Sequence, residues 1–251
     1  MVGRYLANGF MSLFFPADCL LCESPLEPLN RSFICFKCWQ KVKLLPEVHC
    51  VKCGKPLPSL FKEVNPLLIC FECKQHPPYF SRLFSPTIYQ GVMAEAIKFF
   101  KYKGKRGIVR GFARIIKYAI ERFNLSSLRL EAIVPVPLHP RRLRERGFNQ
   151  AEDIAKIIGN ILNLPVWNNY LVRLRYTEPQ TGLHKEKRQN NLKGAFSIKK
   201  KAKKKGKGRK ILLVDDVYTT GATLNEAARV IKKDGVEVFS FALARSVDVG
   251  L

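Results

Sequence analysis

The chain has 251 residues, of which 47% are hydrophobic, and a formal net charge of +24 at pH 7. This length suits one domain of ordinary size plus a small one, and the apolar content is enough for a globular core. No apolar run approaches the roughly 18 to 20 residues of a membrane-spanning helix, and such an excess of positive charge indicates anionic partners: nucleic acid, a polyphosphate or a membrane surface.

The first 15 residues contain one arginine and a short apolar stretch. Asn8 and Gly9 interrupt this stretch, and no small-residue cleavage site follows. The pattern therefore favours an apolar helix packed on its own domain over a secretory signal. We expect a cytoplasmic protein without a membrane span.

All eight cysteines precede residue 74 and form four Cys-x-x-Cys pairs: Cys19/Cys22, Cys35/Cys38, Cys50/Cys53 and Cys70/Cys73. Two thiolates in one tight turn can bind a metal, and a second such turn completes a tetrahedral site. A disulfide framework is the alternative, disfavoured by the lack of a secretory signal and by the fixed short spacing. The pattern predicts two structural zinc ions.

The spacing leaves open which pairs share an ion. Neighbouring pairs can group together, or the first pair can join the third. His49 and His76 adjoin these turns, but with eight thiols present we expect them to be surface or supporting groups. Because the segment has few large apolar residues besides cysteine, metal binding would supply its folding free energy. We predict an N-terminal helix and a double zinc ribbon over residues 1–80.

A proline-rich break at residues 75–80 precedes the second predicted domain, residues 85–251. Apolar spacing predicts helices over residues 93–102 and 108–123. Between them lies a basic turn, residues 101–106, which either faces solvent or contacts an anion.

A buried strand over residues 132–137 leads into residues 138–150, which contain four arginines and one acid. We predict a loop there and then a helix over residues 151–162, with Ile161 and Leu162 facing inward. Arginine presents a planar fork that matches phosphate oxygens, so Arg141 and Arg142 are candidate pyrophosphate ligands. His139 is expected to be structural rather than a catalytic base.

Nine of the twelve residues 199–210 are basic. We expect this lysine-rich run to be mobile because such a run cannot pack. It either solubilises the protein or contacts the phosphate backbone of DNA.

A strand, a loop and a helix start are predicted over residues 210–224. Residues 211–214 are apolar, as in a strand buried on both faces, and Asp215 and Asp216 follow where it would end. The loop offers hydroxyls, small residues and the free amides of a helix N-terminus, a combination suited to ribose 5-phosphate: Thr219, Thr220, Gly221, Ala222 and Thr223. A closing strand over residues 236–244 should run parallel to the strand at Ile211.

Residues 214–223, Val-Asp-Asp-Val-Tyr-Thr-Thr-Gly-Ala-Thr, resemble the phosphoribosyl pyrophosphate (PRPP) loop of type I phosphoribosyltransferases. Residues 135–142 and 146–151 resemble the signature of the ComF family of competence proteins. A third match covers residues 175–177 and 180–183, followed by Arg188, Asn191 and residues 194–196. With the cysteine pairs, the resemblance spans nearly the whole chain.

The resemblance implies a zinc ribbon in front of a parallel-sheet α/β domain of the type I phosphoribosyltransferase kind. It assigns Asp215 and Asp216 to the ribose hydroxyls as the catalytic pair, and residues 219–223 to the 5-phosphate. Residues 137–146 would meet the pyrophosphate, and residues 177–191, with Arg188, would form a mobile flap. Implied partners are PRPP with Mg²⁺, DNA in its single-stranded form, and a competence helicase.

Two functional hypotheses follow. The first is a ComF-like protein of competence and DNA uptake that binds PRPP and DNA, with or without phosphoribosyl transfer. The alternative is an active phosphoribosyltransferase of nucleotide salvage or synthesis with no role on DNA. The zinc module and the strong basicity argue against the alternative, and the sequence has no recognisable acceptor pocket.

Overall fold

The computed structural model describes residues 18–26, 32–58, 60, 68–176, 192–203 and 205–247. The predicted N-terminal helix, the flap and Arg188 lie outside these residues. Within them the helices are α1 (Phe36–Trp39), α2 (Phe71–Gln75), α3 (Gly91–Tyr102), α4 (Val109–Arg122), α5 (Pro140–Arg146), α6 (Gln150–Leu162) and α7 (Ala222–Lys232). The strands are β1 (Leu83–Phe84), β2 (Thr87–Ile88), β3 (Ala132–Pro135), β4 (Leu171–Arg173), β5 (Phe196–Ile198), β6 (Lys210–Tyr218) and β7 (Glu237–Arg245).

A parallel sheet forms the centre of the protein, in the order β1-β7-β6-β3, and β2 continues along the β1 side of β7. β6 pairs in parallel with β3 and β7, one on each side. The predicted α/β class is confirmed, as is the parallel closing strand. β4 and β5 form a separate antiparallel pair at the two ends of the predicted flap.

The two faces of β6 pack against different elements, because successive side chains of a strand point to opposite faces. Leu212 and Val214 belong to the core that contains residues of α3, α4 and α6. Ile211 and Leu213 belong to the core that contains residues of α7, β4 and β5. The sheet is therefore covered on both faces, as parallel sheets usually are.

The cysteine segment, the described part of residues 18–80, packs along the β1–β2 edge of the sheet. Leu44 bridges to Thr87, and the Leu45 amide donates to the Pro86 carbonyl at 2.8 Å. On one face Trp39 packs directly over Gly111, where a Cβ would lie 2.1 Å from the indole ring. The described part of the segment thus covers an edge that would otherwise offer unpaired backbone groups. The domain boundary at residues 80–85 stays a prediction.

Two predicted details of the middle segment are wrong. The loop after β3 contains α5, which begins with Pro140, is capped by His139 and ends at Gly147 in a left-handed conformation. Ile161 is 42% exposed, because the buried stripe of α6 continues through Ile158 to the half-buried Leu162.

The described part of the lysine-rich run packs against the α/β domain, so the expectation that such a run cannot pack is wrong; its mobility stays a prediction. Lys200–Ala202 form a 3-10 turn, and Lys205 Nζ lies 4.4 Å from the centre of the Trp167 ring. Gly206 is buried, and a Cβ there would lie 2.7 Å from Tyr170 Oη. A small residue and neighbouring aromatic rings thus let a strongly basic segment pack. The run leads into the start of β6, at the opposite end of that strand from the acidic pair.

No helix among the described residues is long and apolar enough to cross a membrane.

Candidate functional site

The turn between β6 and α7 forms a small cavity. Its lining includes Asp215 of the predicted acidic pair and most of the predicted loop ligands: Thr219, Gly221, Ala222 and Thr223. Gly221 has φ +78°, and a Cβ on it would lie 2.2 Å from Tyr218 Oη. Only glycine fits such a conformation and such a close approach.

The first turn of α7 faces this cavity. Its N-cap residue, Gly221, makes no side-chain cap bond, and the Ala222 amide donates only a long hydrogen bond to the Thr220 hydroxyl, at 3.5 Å. Free amides and the positive end of the helix dipole favour an anion such as a phosphate.

The acidic pair lies within β6 and not after it, which corrects the predicted strand end. Asp215 and Asp216 therefore point to opposite faces of the sheet. Asp215 lines the cavity of the β6–α7 turn. Asp216 faces α3, so the two carboxylates differ in their surroundings and cannot have identical roles.

Asp216 is committed to a buried ion pair. Its Oδ1 lies 2.8 Å from Lys101 Nζ, with the two side chains 4% and 19% exposed. Burial acts against the charge of Lys101, but Asp216 more than offsets it and raises the lysine pKa. Oδ2 of Asp216 is buried without a hydrogen-bond partner among the described residues. The sequence had placed Lys101 in a basic turn, either solvated or contacting an anion.

The carboxyl group of Asp215 changes from its neutral to its charged form near physiological pH. Burial, followed by repulsion from Asp216, raises its pKa to about 7, against opposing effects of Lys101 and Arg173. Arg173, at the end of β4, is close enough to both Asp215 and Arg142 for each to influence its pKa, which burial lowers. Arg173 is thus within electrostatic reach of Asp215 and of Arg142, a placement that no pattern in the sequence indicated.

The arginine helix α5 lies at the same edge of the sheet as the acidic pair. β3 ends at Pro135, opposite Val214, and the Val136 amide donates to the Val214 carbonyl at 2.8 Å. His139 Nδ1 accepts from the Arg141 amide at 3.3 Å, which supports the structural role expected for this histidine. Arg142 is half-buried and Arg141 is exposed.

Each group of four cysteines fits a zinc ion. Within each group the sulfur atoms lie within 4.8 Å of one another, and the neighbouring pairs share a site: Cys19, Cys22, Cys35 and Cys38 in one, and Cys50, Cys53, Cys70 and Cys73 in the other. The Cys19–Cys38 and Cys22–Cys35 sulfur distances are 3.8 and 3.6 Å. A tetrahedron with Zn–S bonds of about 2.3 Å has edges of about 3.8 Å, so the preformed cages match zinc.

The amides of Cys35 and Cys38 donate to Sγ of Cys19 and Cys35, as expected around metal-bound thiolates. His49 Nδ1 is 2.8 Å from the Pro46 carbonyl and lies outside both groups, which leaves four thiols per site. Four-sulfur sites without an open position are structural.

The second cysteine group, which contains Cys53, is connected to the β6–α7 turn through Arg245 and Tyr218. Arg245 Nε donates to the Cys53 carbonyl at 2.7 Å, and its guanidinium carbon lies 5.6 Å from the centre of the Tyr218 ring. Tyr218 in turn contacts Gly221. A chain of contacts therefore joins the zinc cage to the loop that lines the cavity.

Comparisons with known proteins agree with this architecture. The phosphoribosyl transferase domain model matches residues 145–248, and the double zinc ribbon domain model matches residues 10–75. The chain is 33% identical over 239 residues to Competence protein F of Haemophilus influenzae, covering 94% of this chain and 100% of that protein. The chain belongs to the ComF family. It is also similar to DNA utilization protein YhgH of Salmonella typhimurium (31% identical; 89% of this chain, 94% of that protein) and to Competence protein ComFC of Bacillus subtilis (29%; 91% and 95%).

In this ComF-family chain, the sequence predicts the loop and the cysteines but not the two cations near the acidic pair, Lys101 and Arg173. Lys101 lies on the same face of the sheet as Asp216, and Arg173 lies on the same face as Asp215. Neither residue is part of a recognisable motif. A lysine ending an amphipathic helix, and an arginine ending a short strand, are too common to signal a site. Only the fold brings them to the acidic pair.

Proposed function

We propose that this ComF-family protein binds PRPP with Mg²⁺ in the crevice between the β6–α7 turn and α5, and that it binds single-stranded DNA in competence and DNA uptake. The observation that carries the PRPP part is the shared cavity of Asp215, the small hydroxyl-bearing loop and the uncapped N-terminus of α7. Asp215 would accept from the ribose hydroxyls, and the turn would hold the 5-phosphate.

The pyrophosphate of PRPP would lie toward α5. Arg142 approaches Arg173 and, through it, Asp215, so cations line the side of the crevice where a leaving group would carry charge. In this assignment Asp216 supports the site through Lys101 and does not meet the sugar directly, which revises the equal roles predicted for the two acids. Arg188 stays a predicted ligand of the flap.

A Mg²⁺ ion bound with PRPP would neutralise charge on the pyrophosphate and so make it a better leaving group. Asp215 is the described carboxylate at the cavity that could hold it. Transfer, if the protein carries it out, would displace pyrophosphate at the anomeric carbon.

The DNA part rests on charge and on the relatives. A net charge of +24 gives a strong attraction for a phosphate backbone, and the relatives are called competence and DNA utilization proteins. Two four-thiol zinc sites require reduced cysteines, which suits the cytoplasm. The helicase partner stays a prediction. A salvage enzyme without a DNA role is the weaker candidate, because it accounts for neither the zinc ribbon nor the charge.

Replacing Asp215 by Asn is expected to weaken PRPP binding about 10- to 100-fold, since a charge-assisted hydrogen bond is worth roughly 1.5–3 kcal/mol. Titration calorimetry with PRPP and Mg²⁺ measures the affinity, and thermal melting confirms the fold. Glu237→Gln, at an exposed acid at the start of β7 that pairs with Lys210, is the control for lost negative charge away from the crevice. Equal affinities of wild type and Asp215→Asn would refute the proposed site.

The same binding should depend on pH. Because the pKa of Asp215 is raised to about 7, its accepting, charged form grows between pH 6 and 8, and wild-type affinity should rise more steeply over that range than that of Asp215→Asn. The stability of the free protein should change in the opposite direction. Between about pH 4 and 7 the unfolded chain has released this proton and the folded protein keeps it, so this group lowers the unfolding free energy as pH rises.

The lysine-rich run tests the electrostatic part of DNA binding. Changing Lys200, Lys201 and Lys203 to Ser should weaken single-stranded DNA binding and flatten its salt dependence, by about 0.7 in log–log slope per lost phosphate contact. The control changes three exposed lysines that have acidic partners: Lys55, Lys98 and Lys156. If both triple variants keep the wild-type salt slope, the run only solubilises the protein. If the salt slope falls by the same amount in both, DNA binding depends on net charge and not on the run.

A further inference from the structure

Two exposed tyrosines lie beside α5, one near each end. Tyr176 is 37% exposed and Tyr102 is 70% exposed. Arg141 approaches the Tyr176 ring at 4.8 Å, and Arg146 approaches the Tyr102 ring at 5.3 Å. Two aromatic rings therefore lie at the surface next to arginines of one helix.

The surroundings of both rings are strongly basic. α5 carries four arginines and one acid, and that acid, Glu145, is paired with Arg141. Lys103, next to Tyr102, is exposed as well. Asp153, an acid of the neighbouring helix, accepts a bidentate bond from Arg106, so its charge is balanced.

We propose that this surface, formed by α5 with Tyr102 and Tyr176, binds single-stranded DNA, with bases stacked on the two rings and arginines on the phosphates; this deepens the proposed function and rests on its DNA part. Aromatic platforms within a positive groove are the usual means of holding single strands, since every base has a flat face to stack. A duplex hides those faces, so single strands are favoured.

The position of the surface adds a second consequence. Arg141 and Arg146 are five residues apart in α5, about 7.5 Å along its axis and about 140° around it, so the rings that they contact lie on different sides of this helix. A strand that contacts both rings would pass across α5. The strand would cross the mouth of the crevice on the side of Arg142, which brings DNA next to the proposed phosphoribose site. The lysine-rich run, at the other end of β6, would be a separate contact.

The test is fluorescence anisotropy with a labelled oligo-dT strand and with the same strand carrying abasic residues. Tyr102→Ala and Tyr176→Ala should each weaken oligo-dT binding about tenfold, as expected for one lost stacking contact. Tyr102→Phe and Tyr176→Phe should bind like wild type, because the ring remains. The abasic strand should bind wild type more weakly, and the alanine changes should then have little further effect.

Tyr118→Ala is the matched control. Tyr118 is also 37% exposed and lies under an arginine, Arg122 at 5.9 Å, but on α4. The Tyr118→Ala variant should bind oligo-dT like wild type. The salt dependence of oligo-dT binding by Tyr102→Ala should also be unchanged, because no phosphate contact is lost. The proposed surface would be refuted, but not the DNA role, if both alanine variants bound oligo-dT as tightly as the wild type. The same conclusion would follow if the wild type bound the abasic strand as tightly as oligo-dT. No DNA binding by wild type would overturn the DNA role as well.

Discussion

Lys101→Met is expected to destabilise the folded protein by about 2–4 kcal/mol. The change leaves Asp216 buried without its cation, and removing one partner of a buried pair costs about 3–5 kcal/mol. The expected cost is at the lower end because Lys101 is still 19% exposed, so water partly compensates the pair. Urea unfolding followed by circular dichroism measures the loss.

Lys98→Met provides the control on the same helix. Lys98 pairs with Glu95 at 2.8 Å, but both side chains are about half exposed, so this change should cost no more than about 0.5 kcal/mol. Adding Asp216→Asn to Lys101→Met should restore much of the stability, since the uncompensated charge is removed. Equal losses for Lys98→Met and Lys101→Met would contradict the buried pair.

Loss of the second zinc ion is expected to unfold more than the ribbon. The four sulfurs Cys50, Cys53, Cys70 and Cys73 belong to the same core as Leu213, Tyr218 and Ala222. Structural zinc sites bind with apparent free energies of about 10–16 kcal/mol, comparable to the whole stability of a domain. Cys50→Ser should therefore lower the melting temperature and loosen the β6–α7 turn, as measured by hydrogen exchange of the amides of that turn.

Zinc counting tests the pairing of the cysteines. Native mass spectrometry should find two ions in wild type, one in Cys50→Ser and one in Cys50→Ser with Cys70→Ser, because these residues share a cage. Adding Cys19→Ser to Cys50→Ser should remove both. Ser24→Ala, beside Cys22, should keep two. Intact amide protection in the β6–α7 turn of Cys50→Ser would contradict the coupling through Arg245 and Tyr218.

Local patterns predicted much of this architecture. The Cys-x-x-Cys pairs are determined by ligand chemistry, and the apolar run at residues 211–214 indicated a doubly covered strand. The turn at Gly221 was recognisable because only a few residue types tolerate its backbone and its close neighbours.

Long-range contacts were not predictable in the same way. The strand continues to Tyr218, so alternation separates Asp215 from Asp216, and no local signal marks the residue where strand pairing stops. Lys101 reaches Asp216 from α3, and Arg173 reaches Asp215 from β4. The packing of the lysine-rich run depends on contacts with Tyr170 and Trp167, which the composition of the run alone cannot indicate.

In the proposed site, one crevice holds a sugar phosphate at the β6–α7 turn and its leaving group at α5. Calorimetry with the two halves of the ligand, ribose 5-phosphate and pyrophosphate, tests it most directly. We predict that Asp215→Asn weakens ribose 5-phosphate and spares pyrophosphate, that Arg142→Ala does the reverse, and that both weaken PRPP. If either variant weakened both halves equally, or if PRPP binding survived both changes, the two-ended crevice would be refuted.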